Sequence, residues 1–376
     1  SHEFTLSIMA PDMPPISRRY TWTVEPTPAW RQATAAPVIG SVGISLPEDV
    51  DHSRIFYVSA GGDVGSVDPD GASLWRHRLP GRMACGPAVI DTPVGPVILV
   101  GDTEGNMHLI DADGGDRGGI PLSDPPGEHG IITHRFHPDD KGSFVVVTRK
   151  GQVTRLAQVG SPIWVKDTGL SEAQPAQSRE GNGRICITGI RREGPAKGKA
   201  EAVILDDSGK EVGRYILPGK ISAAPVSYLL GDDHHIRSWL VGLNDGTLVE
   251  LTEPNGDPAV RTRFKGGAIR AMACFHPGEE EGAIAFAAVN DSGVAGFDRK
   301  GERRWFYGLS KAVALLALPE DSGWVAGSTT GVVVRLHGNG TLFWKDTHAW
   351  DAITGLAALK ASRNRMAIFI SSADGM

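Results

Sequence analysis

One pattern recurs eight times along the chain, at spacings of 39 to 49 residues. Aligned on Asp68, its equivalents are Thr23, Asp68, Asp111, Ala157, Asp206, Thr252, Asp298 and His337. The residue before each of these eight positions is apolar. Glycine stands three residues after six of them, and tryptophan stands seven residues after five, namely Trp30, Trp75, Trp164, Trp305 and Trp344. Self-similarity at a fixed period predicts a repeat architecture.

Each repeat contains about four short strand candidates separated by turn residues. Runs such as GSFVVV, SWLVGL, AIAFAAV and MAIFIS are apolar at consecutive positions rather than at alternate ones. Such strands are covered on both faces, whereas a half-exposed antiparallel sheet would alternate. Four covered strands at a period near 45 predict an all-β propeller, in which neighbouring blades sandwich each sheet.

The chain ends determine the blade count. First strands are predicted to begin near Ala36, Met83, His129, Ala173, Ile221, Ala268, Ala312 and Ala352. The eighth unit has only two strands, and Tyr20–Val24 with a strand carrying Trp30 supplies the missing half. We therefore predict an eight-bladed β-propeller in which N- and C-terminal strands share one blade, which removes an open sheet edge. A seven-bladed ring with stray end strands is the alternative.

The domain prediction follows from the extent of the repeats. Residues 19–376 are predicted to form a single propeller domain, and residues 1–18 a tail whose opening Ser-His-Glu-Phe has the character of a vector remnant.

The motif of an apolar strand, Asp, two residues, Gly, three residues and Trp resembles the pyrroloquinoline-quinone-like propeller repeat. It reads VDPDGASLW, FDRKGERRW and, less regularly, LHGNGTLFW. The resemblance implies that the five tryptophans dock against neighbouring blades. The family includes quinoprotein dehydrogenases, which carry a vicinal cysteine pair, a calcium site and a catalytic Asp. Because Cys85, Cys186 and Cys274 are far apart, the resemblance implies the non-catalytic eight-bladed branch, without a cofactor.

Composition narrows the partner classes. The net charge of −6 gives no basic character that would indicate nucleic-acid binding. No apolar run is long enough for a membrane span. The three unpaired cysteines lie in apolar strands and slightly favour the cytoplasm, while a periplasmic or exported location fits if a leader has been removed.

Two sequence features suggest metal sites at first sight. His129, His134 and His137 lie near Glu128 and Asp139, but Phe-His-Pro recurs at 275–277, which favours a structural role. Asp68-Pro-Asp-Gly and Asp111-Ala-Asp-Gly resemble the start of a calcium loop, yet later acidic ligands are absent. We interpret them as Asx turns and predict no metal or catalytic residue.

Charge placement differs between the two faces of the predicted ring. Loops at 47–51, 91, 138–141, 179–180, 231–233, 279–281, 319–321 and 360–365 carry 14 acids and 5 bases. The opposite face has a long insertion, residues 189–200, with Arg191, Arg192, Lys197 and Lys199. Complementary charge steers partners, so these faces are candidate docking surfaces. The alternative is a solvated surface that maintains solubility.

A partly cationic channel mouth is the second candidate site. Arg82 and Lys220 occupy equivalent positions in LPGRM and LPGKI, and Lys265, Arg270, Lys311 and Trp350 lie in neighbouring loops. Such a mouth suits an anionic small ligand or an acidic peptide, although solvated loop residues would give the same pattern.

Two functions follow from these observations. The first is a non-enzymatic scaffold or adaptor that binds partner proteins through the propeller faces. The alternative is a ligand-binding or catalytic propeller, such as a degenerate quinoprotein, a lyase or a hydrolase, with its site at the channel mouth.

Overall fold

A computed structural model shows how the repeats are arranged. It describes residues 2–8, 16–22, 29–45, 53–134, 142–176, 183–230, 236–252, 257–274, 284–318, 323–347, 351–361 and 365–375. All regular secondary structure within these ranges is β-strand. No helix that could cross a membrane occurs in these ranges.

Seven antiparallel sheets, blades 1 to 7, have four strands each in chain order. Blade 1 contains β3 (Gly43–Ser45), β4 (Arg54–Val58), β5 (Asp63–Val67) and β6 (Ser73–Arg78). Blade 2 contains β7 (Met83–Thr92), β8 (Gly95–Asp102), β9 (Asn106–Ile110) and β10 (Asp116–Pro121). Blade 3 contains β11 (Pro126–His134), β12 (Ser143–Thr148), β13 (Gln152–Leu156) and β14 (Pro162–Asp167).

The next four blades repeat this organisation. Blade 4 contains β15 (Leu170–Ala176), β16 (Arg184–Arg191), β17 (Ala200–Asp206) and β18 (Glu211–Ile216). Blade 5 contains β19 (Ile221–Leu230), β20 (Ile236–Leu243), β21 (Thr247–Thr252) and β22 (Ala259–Arg263). Blade 6 contains β23 (Ala271–Cys274), β24 (Ile284–Asn290), β25 (Gly293–Asp298) and β26 (Arg303–Gly308). Blade 7 contains β27 (Ala312–Leu318), β28 (Gly323–Ser328), β29 (Val333–His337) and β30 (Leu342–Asp346).

The eighth blade is where the two chain ends meet. Its strands are β31 (Ile353–Ala361) and β32 (Arg365–Ser372), which pair with each other. N-terminal residues lie against them, because the amide of Thr34 donates to the carbonyl of Gly375 at 2.6 Å. Trp30 packs on Phe369 with 6.1 Å between ring centroids. Both ends of the chain therefore contribute to blade 8.

The first strands of the blades form the inner wall of a closed ring. Each first strand contacts the next, from β3 to β31, and β31 contacts β3 again. Eight apolar clusters fill the eight interfaces between adjacent blades. At the interface of blades 5 and 6, for example, Phe264, which follows the last strand of blade 5, packs edge-on against Phe297 of blade 6 with 6.0 Å between centroids. The prediction of an all-β, eight-bladed propeller is confirmed, and the seven-bladed alternative is not supported.

The strands inside the blades are buried on both faces, as their sequences predicted. Every residue of β12 and of β28 is buried. Neighbouring blades cover these faces, so burial removes apolar area from water on both sides of each sheet. Apolar side chains at consecutive strand positions are therefore all buried, and their burial stabilises the folded protein.

The tryptophans and glycines that recur in the repeats meet at the interfaces between successive blades. The indole Nε1 of Trp75 donates to the Ala112 carbonyl of the next blade at 2.8 Å. Trp164 does the same to Asp207 at 2.8 Å, and Trp30 to Pro69 at 3.0 Å. Each ring lies against the turn of the next blade, where a glycine of positive φ leaves space for it: Gly71, Gly114 and Gly209. The predicted docking role is thus seen for these tryptophans.

One detail of the closure differs from the sequence prediction. Tyr20–Val24 was expected to pair within blade 8, but β2 (Ile16–Trp22) pairs with β1 (His2–Ile8) in a separate hairpin. Residues around Trp30 reach the predicted place without forming a regular strand. The unpaired N–H and C=O groups along the edge of a strand can bond to any suitable strand, and β1 is that partner for β2.

Candidate functional site

The predicted cations lie on one face of the ring, which we call the loop face. This face carries the connections between blades and the turns between second and third strands. A repeated backbone hydrogen bond joins these segments: Thr103 to the Arg82 carbonyl at 2.8 Å, Asn244 to Lys220 at 2.8 Å, and Thr329 to Lys311 at 3.0 Å. The three cations therefore begin the inner strands of blades 2, 5 and 7 at equivalent positions.

These cations are available to solvent. Arg82, Lys220, Lys265 and Lys311 are exposed. None of them forms an ion pair within the described ranges. Hydrogen bonds hold the backbone of Arg82, Lys220 and Lys311, so binding at these residues would require ordering of their side chains but little backbone reorganisation.

The insertion at 189–200 divides into an anchored and an exposed part. Arg191 lies 3.5 Å from Glu201, which is buried, and Arg192 forms an ion pair with Asp167. Burial would raise the pKa of Asp167, but hydrogen bonds from Arg192 and the Gly169 amide outweigh it and lower that pKa. The two arginines thus hold the insertion against blade 4.

The exposed part of the insertion carries Lys197 and Lys199. Both side chains are exposed and neither forms an ion pair within the described part of the chain. The turn between the two halves is closed by the amide of Lys197, which donates to the Gly194 carbonyl at 3.1 Å. The insertion projects from blade 4 between β16 and β17, and Lys220 immediately precedes the first strand of blade 5. These three lysines therefore belong to one sector of the loop face.

The remaining predicted residues have different surroundings. Arg270 is exposed and lies 3.4 Å from Asp291, so its charge is partly balanced. Trp350 lies outside the described residues. The predicted set is therefore spread over blades 2, 4, 5, 6 and 7 rather than gathered in one cluster.

Sequence reasoning missed the acids of the loop face. Asp124 lies 3.2 Å from Lys150, Asp245 lies 3.4 Å from Arg263, and Asp167 and Asp291 pair with arginines. The acids themselves are visible in the sequence of these loops, but their ion pairs are not. These acids are paired, whereas six cations of the loop face are exposed and form no ion pair within the described ranges: Arg82, Lys197, Lys199, Lys220, Lys265 and Lys311.

The opposite face, the turn face, carries the turns between third and fourth strands. Oδ1 of Asp68 accepts hydrogen bonds from the amides of Asp70 at 3.0 Å and Ala72 at 2.8 Å. Asp111, Asp206 and Asp298 make the same pair of bonds two and four residues ahead. The Asx-turn interpretation of these motifs is confirmed.

The acidic loops predicted for the turn face fall mostly outside the described residues. Asp91 lies inside them and accepts a hydrogen bond from the Ser45 hydroxyl. Most residues of the other loops lie outside the described ranges, as does His137.

A buried histidine of blade 2, His108, lies between two aspartates, and this cluster was not predicted from the sequence. Nε2 of His108 lies 3.3 Å from Asp102, and its Nδ1 lies 3.8 Å from Asp116. Burial would raise the pKa of Asp102, but hydrogen bonds from Asn106, His108 and the Glu104 amide lower it. Because Asp102 also holds the turn through the Asn106 amide at 2.7 Å, the cluster stabilises blade 2.

Histidines, acids and cysteines that could take part in metal or thiol chemistry are dispersed or buried in the described ranges. No group of three His, Cys, Asp or Glu residues there is arranged to hold a metal ion. His129 is exposed and His134 is buried in the same strand. Burial raises the pKa of Cys85 to about 12 and raises that of Cys186 as well. Such thiols are protonated at neutral pH and are poor nucleophiles.

A cavity of about 380 Å³ lies at the seam formed by blades 7, 8 and 1. Blade 8 contributes Ile368 and Ile370, and blade 1 contributes Tyr57 and Val67. Trp344 of blade 7 also lines it. The cavity is mainly apolar and extends along the outer edge of β32.

Comparisons with known proteins agree with the fold. No protein-family model matches the chain, and no curated protein matches it. BamB from Moraxella catarrhalis is similar in structure, with a TM-score of 0.61, 18% identity, and coverage of 92% of this chain and 95% of that one. Sqt1 from Saccharomyces cerevisiae has a TM-score of 0.70 at 11% identity, covering 92% and 96%.

The C-terminal WD40 domain of Sif2 is also similar, with a TM-score of 0.62 at 12% identity and coverage of 91% and 97%. The chain has the β-propeller fold. At these identities the similarity extends to the fold alone.

Proposed function

We propose that this protein is a non-enzymatic scaffold that binds a partner protein through the loop face, and that it belongs to the non-catalytic eight-bladed branch of the pyrroloquinoline-quinone-like propellers. Residues 19–376 act as one domain in this proposal. The observation that carries it is the sector of Lys197, Lys199 and Lys220, which are exposed and make no ion pair within the described ranges.

Electrostatics favours an acidic segment of a protein as the partner. Arg191 and Arg192 are engaged by Glu201 and Asp167, so they fix the insertion rather than meet the partner. The three lysines then present ammonium groups from two adjacent blades. Charges at the rim of an interface mainly accelerate association and select the partner. Binding should weaken as salt screens these charges.

Charge reversal tests this proposal. The variant Lys197→Glu/Lys199→Glu/Lys220→Glu should lose a partner that wild-type protein captures from a lysate of its source, as quantified by mass spectrometry. The control variant Lys210→Glu/Arg299→Glu/Lys300→Glu changes the net charge of the protein by the same amount, but on the turn face. It should keep that partner. A partner set that is the same for all three proteins would overturn the role of the loop face.

A second candidate function has its own observation. Arg82, Lys220 and Lys311 start their inner strands at equivalent positions, so their backbones surround the mouth of the channel. This arrangement supports binding of a small polyanion there. Calorimetric titration with citrate should show saturable binding that the Arg82→Ala/Lys311→Ala variant loses. Absence of heat with wild-type protein would remove this candidate and leave the scaffold proposal intact.

A further inference from the structure

The interface of blades 2 and 3 differs from the other interfaces at the outer rim of the ring. In the repeat of blade 2, Gly118 stands seven residues after Asp111, where five other repeats carry tryptophan. At Gly160, the turn glycine of blade 3, the nearest neighbour of an added Cβ is Ile120 rather than an indole ring. Gly118 itself is exposed, and nothing lies within 4 Å of its Cβ position. The rim is therefore open beside β10.

The other two repeats without this tryptophan supply a different aromatic ring. Gly213 stands at the tryptophan place of blade 4, and the ring of Tyr215 lies 3.1 Å from the Cβ position of that glycine. The Tyr215 hydroxyl donates to the Thr252 carbonyl of blade 5 at 3.3 Å. Phe264, which follows the fourth strand of blade 5, packs against Phe306 of blade 6 with 6.2 Å between centroids. In contrast, β10 contains no aromatic residue.

The fourth strand of blade 3 has an apolar and exposed centre. Ile163 and Val165 of β14 are 51% and 54% exposed, and Val159 in the turn before β14 is 72% exposed. The fourth strands of blades 1, 5 and 6 carry two arginines each instead. Charged side chains discourage the edge of a sheet from pairing with another chain. Between Pro162 and Val165, β14 lacks this protection.

Val165 faces the open part of the rim. It follows Trp164, whose indole donates to the Asp207 carbonyl of blade 4. Because side chains alternate along a strand, Val165 lies on the opposite side, toward blade 2. Phe306 stands one residue after Trp305, as Val165 stands one residue after Trp164, and it packs toward the preceding blade in the same way.

We propose that the outer edge of β14 is a docking site for an extended segment of a partner protein. The segment adds as a fifth strand of blade 3 and places an aromatic side chain beside Val165, in the space next to Gly118. Within the described ranges β14 is the edge strand of its sheet. Backbone groups on that edge that point away from β13 can pair with an added strand, and the aromatic ring gives specificity. The partner thereby supplies the ring that the other repeats supply themselves.

The size of the apolar strip favours a short segment over a second copy of the chain. Val159, Ile163 and Val165 together expose on the order of 300 Å². Each partner of a stable interface buries roughly 800 Å². The strip lies at the rim and outside the lysine sector of the loop face, so this site does not rest on the scaffold proposal.

A defined peptide tests the site. The probe is the capped pentapeptide acetyl-TVWVT-amide, titrated into the full chain with labelled isoleucine and valine methyl groups. We expect saturable NMR shifts at the methyl groups of Ile120, Ile163 and Val165, together with slower hydrogen exchange of the β14 amides. The capped peptide acetyl-TVAVT-amide should bind about tenfold more weakly, because it leaves the opening without a ring.

Two variants show whether the edge of blade 3 is responsible. Val165→Lys should weaken binding of the probe by about tenfold, because it places an ammonium group in the apolar contact. The matched control Val260→Lys changes a valine that is 61% exposed on the fourth strand of blade 5, and it should bind as wild type does. Thermal unfolding should be the same for all three proteins, because both valines are exposed.

Three results would overturn the proposal: no saturable shifts with the tryptophan peptide, equal binding of the two peptides, or shifts centred on another blade. Sedimentation of the wild-type protein at increasing concentration tests the other occupant. A dimer that forms with concentration and is abolished by Val165→Lys would assign the edge to a second copy and would also overturn it.

Discussion

The turn face and the loop face use their charged residues in opposite ways. On the turn face, four carboxylates each accept two backbone hydrogen bonds and thereby stabilise the turns: those of Asp68, Asp111, Asp206 and Asp298. On the loop face, Lys197, Lys199 and Lys220 point to solvent without an ion pair within the described ranges. The recurring aspartates therefore stabilise the turns, whereas the lysines of this sector of the loop face are exposed to solvent.

The largest effect should come from the turn face at Gly114. In Gly114→Ala the new Cβ would lie 2.9 Å from the Trp75 ring, at a φ of +87°. Overpacking and backbone strain together should lower the free energy of unfolding by about 3 kcal/mol. Urea denaturation measures this loss. Gly118→Ala is the control, since its φ is +106° but nothing lies within 4 Å of its Cβ. Equal losses in both variants would show that the indole contact is unimportant.

The Asx turns should give a smaller loss of stability. Asp111→Ala removes the acceptor of the Asp113 amide at 3.1 Å and the Gly115 amide at 2.8 Å. Hydrogen bonds to a charged acceptor of this kind contribute about 1–2 kcal/mol. Asp113→Ala should change the unfolding midpoint little, because the Asp113 side chain is 95% exposed. A larger effect at Asp113 would contradict the assignment of Asp111 to turn geometry.

A pH dependence distinguishes an engaged carboxylate from a solvated one. Hydrogen bonds from Arg214, at 2.8 and 2.7 Å, lower the pKa of Glu211. A lowered pKa in the folded state adds stability above the unfolded pKa, and this stability is lost as pH falls through the folded value. At pH 7, Glu211→Gln should therefore be less stable than wild type by about 1 kcal/mol.

The difference between Glu211→Gln and wild type should vanish at a pH below the folded pKa of Glu211. Thermal unfolding at several pH values measures it. A difference that is constant with pH would mean that Glu211 acts through shape rather than through charge.

The smallest effect should come from the loop face. Lys197→Ala/Lys199→Ala/Lys220→Ala should change the free energy of unfolding by less than about 0.5 kcal/mol, because the side chains are exposed and form no ion pair with the residues that the structure describes. The same variant should weaken partner capture. A clear loss of stability would show that these lysines support the fold, and the contrast between the faces would then fail.

The repeat pattern predicts the fold well because each of its elements has a local cause. The tryptophan at +7 of one repeat meets the glycine at +3 of the next repeat across a blade interface, so the recurrence of both residues reflects a contact in space. First strands at Met83, Ile221 and Ala312 begin where they were predicted. These features repeat, and repetition makes them visible in a single sequence.

The candidate site was less predictable because it depends on contacts between different blades. The pairing of Arg192 with Asp167 crosses from the insertion to a connection 25 residues earlier, and no local pattern reveals it. The pairing of β2 with β1 is likewise a contact that strand propensity alone does not predict. Local sequence therefore identifies the charged residues but not which of them are engaged.

The seam has a consequence for synthesis of the chain. Ile55, Tyr57 and Val67 of blade 1 are buried against blade 8, whose strands β31 and β32 follow all the others in the chain. Until these strands have left the ribosome, blade 1 has an uncovered apolar face while blades 1 to 7 are already made. Exposed apolar strands of this kind aggregate readily. The nascent ring is thus most in need of chaperone protection just before its two ends meet.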